Sequence, residues 1–251
     1  MTLKFTFCNE SLPSIITGLD PQKEDVILVI GGSGDQALAL LEFGCKVYVI
    51  DRNSSQVNYI KNVVENIRVK NFDFLFNIEN KDPTSIFIEN RTGINLFKER
   101  NLYFNNLARI NTIASNINNL VIIEPAQSIF DFLKHNYSSS NQIKFTKIYL
   151  SNIFTTMSNY KMDGSKGDYD FEDFTNSLNL IGLNLLKGGL VYFADGDLIR
   201  KRLKLSKFNS LFAKKFTFRD TALKVNTVRT KEARKVQLLE DRVPLVLEKI
   251  T

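Results

Sequence analysis

The chain has one histidine, two cysteines and no tryptophan among its 251 residues. A single imidazole, His135, excludes a His/Cys zinc cluster and any two-histidine metal site, so no metal is expected. His135 follows the run Phe130-Asp131-Phe132-Leu133-Lys134, where a histidine near a helix C-terminus serves as a cap. Acid–base chemistry therefore falls to Asp, Glu or Tyr. Cys8 and Cys45 are too few for a disulfide framework, and neither has a second ligand at metal spacing. No apolar run approaches membrane-spanning length, and the first residues lack the apolar centre of a secretory signal. The expected compartment is the cytoplasm. What remains is an ordinary globular composition, 43% hydrophobic and 24% charged, long enough to bury one sizeable core.

The informative stretch runs from Val26 to Gln56. Val26 to Ile30 is a short apolar run suited to a buried parallel strand. Gly31, Gly32 and Gly34 follow, then a periodic helix (Ala37, Leu38, Leu40, Leu41) that stops at Gly44, a residue suited to the left-handed position after a helix. A second buried strand, Lys46 to Ile50, ends on Asp51. Gly32, Gly34 and Ala37 fit a loose GxGxxA pattern, and Asp51 lies 19 residues beyond Gly32. Glycines admit close approach of backbone to a ligand, and the helix start behind them offers unpaired N–H groups. A carboxylate at the second strand's tip can accept both hydroxyls of a ribose. The unit reads as a nucleoside site.

Asp35 at the helix start would repel a pyrophosphate but could hold a ligand's ammonium. After Asp51 the chain continues Arg52-Asn53-Ser54-Ser55-Gln56. Ser33-Gly34-Asp35-Gln36-Ala37-Leu38, together with Asp51, Asn53 and Gln56 as D-x-N-x-x-Q, resembles the S-adenosylmethionine (SAM)-dependent 3-amino-3-carboxypropyl transferases related to the diacylglycerol-modifying enzyme of betaine-lipid synthesis. The match covers about thirty residues, with a weaker echo at Gly188 to Asp195. The resemblance implies a class I methyltransferase-like fold. It also implies a SAM site built from Gly31, Gly32, Ser33, Gly34, Asp35, Gln36, Asp51, Arg52, Asn53 and Gln56, with Asp35 or Gln36 fixing the amino-acid arm.

The fold expected is α/β, a doubly wound, mostly parallel Rossmann-like sheet with a C-terminal antiparallel hairpin, spanning residues 1–251 as one domain. Residues 1–25, partly apolar and with Pro13 at a helix entry, form either a lid over the pocket or plain packing on the sheet. Val57, Ile60, Val63, Val64 and Ile67 predict a core-facing helix capped by Asn53, Ser54 or Ser55. Residues 68–118 read as a helical insertion over the ligand end of the sheet, with a helix around Leu102 to Ile113 and Arg91 as a surface arginine or anion partner. Asn119 to Ile123 reads as the third strand, delivering Glu124 to a position that in SAM-type folds lies near the adenine. Lys147 to Leu150 reads as the fourth, delivering Ser151 and Asn152 to the tip that in this architecture faces the sulfonium. The polar loop that follows supplies Tyr160, Asp163 and Asp168 as acceptor-side candidates. A helix from Phe171 to Leu186 and a strand from Leu190 to Phe193 come next. Phe216 to Phe218, Ala222 to Val225 and Val243 to Leu247 are short strand candidates.

Charge is unevenly placed: Arg200 to Lys235 holds thirteen Lys or Arg against Asp220 and Glu232. Such a block suits phosphate groups on a nucleotide-linked peptide or a lipid headgroup, and RNA after those. The leading functional expectation is aminocarboxypropyl transfer from SAM to a phosphate-bearing acceptor, releasing methylthioadenosine. Methyl transfer, a non-catalytic nucleoside- or RNA-binding module and, last, NAD-dependent oxidoreduction are the alternatives.

Overall fold

In the computed structural model, residues 6–8, 10–76, 91–151, 153, 171–194, 215–218 and 244–251 are described. Seven strands form one sheet in the order β3-β2-β1-β4-β5-β7-β6. They are β1 (Val26–Ile30), β2 (Lys46–Ile50), β3 (Leu120–Ile122), β4 (Phe145–Tyr149), β5 (Leu185–Phe193), β6 (Phe216–Phe218) and β7 (Leu245–Lys249). The first five pair in parallel, and β7 lies antiparallel between β5 and β6. This is the doubly wound, mostly parallel Rossmann-like sheet that the sequence led us to expect, its last two strands forming the antiparallel pair. Ala222 to Val225 fall outside the described residues.

Both faces of the sheet are covered, which is why β1 and β2 read as apolar runs rather than alternating ones. Ile27 and Val29 of β1 face one core and Leu28 the other. The first core is closed by α1 (Leu12–Leu19), α2 (Asp35–Leu41), α3 (Ser54–Arg68), the short α4 (Asp73–Phe76), α5 (Arg91–Phe104) and α6 (Leu107–Ser115). The second is closed by α7 (Ile129–Ser138) and α8 (Phe171–Asn184). α1 starts with the Ser11 side chain accepting the Ser14 N–H at 3.3 Å and Pro13 in the first turn. It packs so closely on the sheet that a Cβ at Gly18 would stand 2.7 Å from the Tyr192 ring.

Three element readings change. The helix expected around Leu102 to Ile113 is two helices, because Asn106 leaves helical conformation and its Oδ1 caps the Arg109 N–H at 3.1 Å. These helices pack against α1 and α2. β5 begins at Leu185, and Gly188, at φ +75°, carries the chain through a bulge against β4 where a helix-to-strand turn was expected. His135 sits in the last turn of α7 and is exposed, fitting the capping reading.

Both cysteines are buried free thiols. Cys45 donates to the Leu40 carbonyl at 2.9 Å, and burial, then Asp25, pushes its thiol from 9.0 up to about 12. Burial likewise raises Tyr59 to about 12, with Asp35 adding to the effect. An acid raised in the folded state favours folding while it is protonated. That contribution is whole below the ordinary thiol value and is lost as pH rises toward about 12. Urea denaturation at pH 8, 10 and 11 is expected to show a midpoint that falls steadily above pH 9. A midpoint flat to pH 11 would contradict this burial.

Candidate nucleoside and amino-acid-arm site

The parallel sheet reverses its winding between β1 and β4, and the crevice beyond their C-terminal ends is where such sheets place ligands. The glycine turn closes one side. Gly34 donates its N–H to the Gly31 carbonyl at 2.7 Å, with Gly32 at φ +47° and Gly34 at φ +85°. At Gly31 a Cβ would lie 2.8 Å from Ile60 Cδ1 and 3.2 Å from Asp51 Cβ, so close packing of α3 and β2 requires glycine there.

Asp51 stands at the tip of β2, as expected, partly exposed. Its Oδ2 accepts the Gly32 N–H at 3.0 Å and its Oδ1 the Asn53 N–H at 2.8 Å. The carboxylate thus orients the glycine turn and the start of α3. Asn53 caps α3 through Ser55 N–H at 3.0 Å, and Gln56 is buried in the first turn. Arg52 is exposed.

Asp35 is not poised toward a ligand. The Arg100 guanidinium grips it with two bonds, Nε to Oδ2 at 2.9 Å and Nη2 to Oδ1 at 3.0 Å, with both side chains almost fully buried. Oδ2 also accepts the Cys8 N–H at 2.7 Å and the Ser33 hydroxyl at 3.1 Å. With its charge neutralised and its oxygens filled, Asp35 is a joint between the turn, α5 and the chain's first residues. The repulsion of pyrophosphate expected from it therefore lapses. The antiparallel β7 is what separates this sheet from the usual NAD-binding order. Gln36 turns back on the strand, its Nε2 donating to the Ile30 and Gly31 carbonyls at 2.6 and 2.8 Å. Its buried Oε1 meets no donor.

Across the crevice, Tyr149 ends β4 and Ser151 follows at φ +52°, a strained conformation for a residue with a side chain. Both hydroxyls donate to the carboxylate of Glu10, Tyr149 at 2.6 Å to Oε2 and Ser151 to Oε1. Glu10 is buried. The segment ahead of α1 is thus tied to both banks of the crevice, through Cys8 to Asp35 and through Glu10 to β4. Burial, then the Glu10 and Asp35 carboxylates, raises the Cys8 thiol well above its ordinary value. Burial and Glu10 do the same for the Tyr149 phenol. Cys8 and Glu10 thus join the glycine turn to the β4 tip, while α1 behind them packs on the sheet.

Glu124 lies exposed beyond β3 and pairs with Lys61 of α3. Asn152, Tyr160, Asp163 and Asp168 lie outside the described residues, as does most of the basic block. Arg100 and Glu10 are the site residues missed by sequence reasoning. Arg100 sits in the polar run Lys98-Glu99-Arg100-Asn101, and Glu10 beside the helix cap Ser11; neither run distinguishes them. Among the described residues no group of acids, histidines and cysteines is placed to hold a metal ion, and no helix is long and apolar enough to cross a membrane.

No protein-family model matches the chain, nor does any curated protein sequence. Among solved structures, it is similar to an rRNA methylase from Streptococcus thermophilus, with 11% identity and a TM-score of 0.43 over 96% of this chain and 95% of that one. It is also similar to precorrin-6y C5,15-methyltransferase from Geobacter metallireducens GS-15, with 9% identity and a TM-score of 0.43 over 83% of this chain and 72% of that one.

Proposed function

We propose that the chain is a SAM-dependent alkyltransferase. The observation that carries this reading is the Asp51 carboxylate, fixed by the Gly32 and Asn53 N–H groups at the tip of β2 beside the glycine turn. It fits the two hydroxyls of an adenosyl ribose, and the strand order favours SAM over a dinucleotide. SAM supplies a sulfonium that activates three attached carbons. The chain's own residues contribute by holding the ligand so that one of those carbons faces the acceptor. Asp51 orients the ribose, the Gly31–Gly34 turn admits close approach of backbone, and Ser151 lies at the β4 tip toward the transfer end.

Within this reading we favour transfer of the 3-amino-3-carboxypropyl group, supported by the resemblance of the turn and of Asp51, Asn53 and Gln56 to that transferase family. Asn53 and Gln56 also have local roles as helix cap and buried first-turn residue, so the choice between carbons rests on the resemblance. The acceptor proposed is phosphate-bearing, a nucleotide-linked peptide or a lipid, on the strength of the basic block from Arg200 to Lys235.

Incubation with SAM and a panel of phosphate-bearing acceptors, read by chromatography and mass spectrometry, is the test. Methylthioadenosine with an acceptor heavier by the aminocarboxypropyl group is expected. S-adenosylhomocysteine with a methylated acceptor would move the assignment to methyl transfer. RNA affinity that falls steeply with salt, without SAM turnover, would support a binding module instead.

A further inference from the structure

We propose that Lys144, Lys215 and Lys249 form a binding site for a phosphate group at the end of the sheet opposite the β1–β4 crevice. Lys144 directly precedes β4, Lys215 directly precedes β6, and Lys249 closes β7. All three ammonium groups meet the C-terminal end of α8. Lys215 Nζ donates to Asn179 Oδ1 at 2.8 Å and Lys144 Nζ to the Leu183 carbonyl at 2.8 Å. Lys249 Nζ donates to the Gly182 and Leu185 carbonyls, both at 2.7 Å. Asn179, Gly182 and Leu183 share one face of the helix, at spacings of three and four. Three distant stretches of the chain thus bring cations to one place.

A helix C-terminus accounts for part of this gathering, since its carbonyls attract cations. It amounts to about half a negative charge, against three full positive ones. Among the described residues no carboxylate stands within ion-pair distance of any of the three. Lys187, exposed in the β5 bulge just past Leu185, adds another charge at the same end. Burial, then the charges of Lys144 and Lys215, lowers the Lys249 ammonium below its ordinary value, so the cluster repels itself. Donors also remain. An ammonium has three N–H groups, of which Lys249 uses two and Lys144 and Lys215 one each. Surplus positive charge with donors left over, on side chains that are exposed or partly exposed, suits an oxyanion. A phosphate group matches it, bringing nearly two negative charges and three acceptor oxygens.

The place in the fold sets the role. β4 runs from this end to the crevice, and its five residues at about 3.3 Å each put roughly 16 Å between the two. A phosphate bound here is therefore a second contact, apart from the group that would meet the sulfonium. Lys215 also belongs to the basic block Arg200 to Lys235, so the site ties that block's anion chemistry to a defined point on the sheet.

Calorimetry of the full chain with inorganic phosphate, at constant ionic strength, tests the site independently of the SAM reading. Saturable binding is expected. The double variant Lys144→Gln, Lys215→Gln should weaken it by roughly tenfold or more, and Lys144→Arg, Lys215→Arg should stay within about threefold. No saturable binding, or equal binding by wild type and the glutamine variant, overturns the site. Should that variant fail to fold, Lys144→Gln alone decides, because Lys144 is exposed. A loss of about threefold or more is then expected, and no loss overturns the site. Vesicles of phosphatidylcholine with and without phosphatidic acid identify where the phosphate comes from. Co-sedimentation with phosphatidic acid that inorganic phosphate displaces supports the site with a lipid headgroup as its ligand. Binding of inorganic phosphate without co-sedimentation supports it with a small phosphate ester instead.

Discussion

Arg100→Met should lower the melting temperature by about 6–20 °C, the largest effect on stability expected from any single change described here. Removing one partner of a buried ion pair costs about 3–5 kcal/mol, because the other charge is left uncompensated. For a chain of this size each kcal/mol corresponds to about 2–4 °C. Arg100 and Asp35 are 2% and 4% exposed at their side chains, so solvent screens neither. The guanidinium also donates to the Leu75 carbonyl at 2.8 Å, which ties α4 into the same joint. Adding Asp35→Asn to Arg100→Met removes the orphaned charge yet keeps an acceptor for the Cys8 N–H. The double variant should therefore recover at least half of the loss, as measured by circular dichroism melts. A single variant melting within 2 °C of wild type would mean that the pair does not brace the turn.

Asp51→Ala should weaken both S-adenosylhomocysteine and methylthioadenosine by at least about tenfold. Both carry the ribose, and hydrogen bonds to a charged acceptor contribute about 1.5–3 kcal/mol each. Asp51→Ala also releases the Gly32 and Asn53 N–H groups, so part of its effect passes through the shape of the turn. Asp51→Asn retains one acceptor in place and should bind more tightly than Asp51→Ala. Equal affinity of wild type and Asp51→Ala would place the ribose elsewhere.

What was legible in the sequence is what local pattern controls. β1 and β2 occupy Val26–Ile30 and Lys46–Ile50 as read, because a strand covered on both faces writes itself as a continuous apolar run. The glycine turn and Asp51 follow at the positions expected, since positive φ and a strand-end acid are properties of single residues in a short unit. The partners of those residues were not legible. Asp35 looked like a free helix-start acid because its cation lies 65 residues away, on a helix whose polar run has no visible bias. Glu10 meets Tyr149 across 139 residues, and nothing near either one predicts the meeting. Glu124 stands just past β3 as its strand-end position implies, but its partner Lys61 lies 63 residues away on α3 and nothing local announces it. The break between α5 and α6 at Asn105–Asn106 was hidden by apolar residues that keep helical spacing through it; the cap decided the outcome.

The most direct measurement is a calorimetric titration of the wild-type chain with S-adenosylhomocysteine, with NAD titrated in parallel. The account predicts saturable one-to-one binding of S-adenosylhomocysteine and none of NAD. Binding of NAD with no response to S-adenosylhomocysteine, or no binding of either, would contradict the assignment of the β1–β4 crevice as a SAM site.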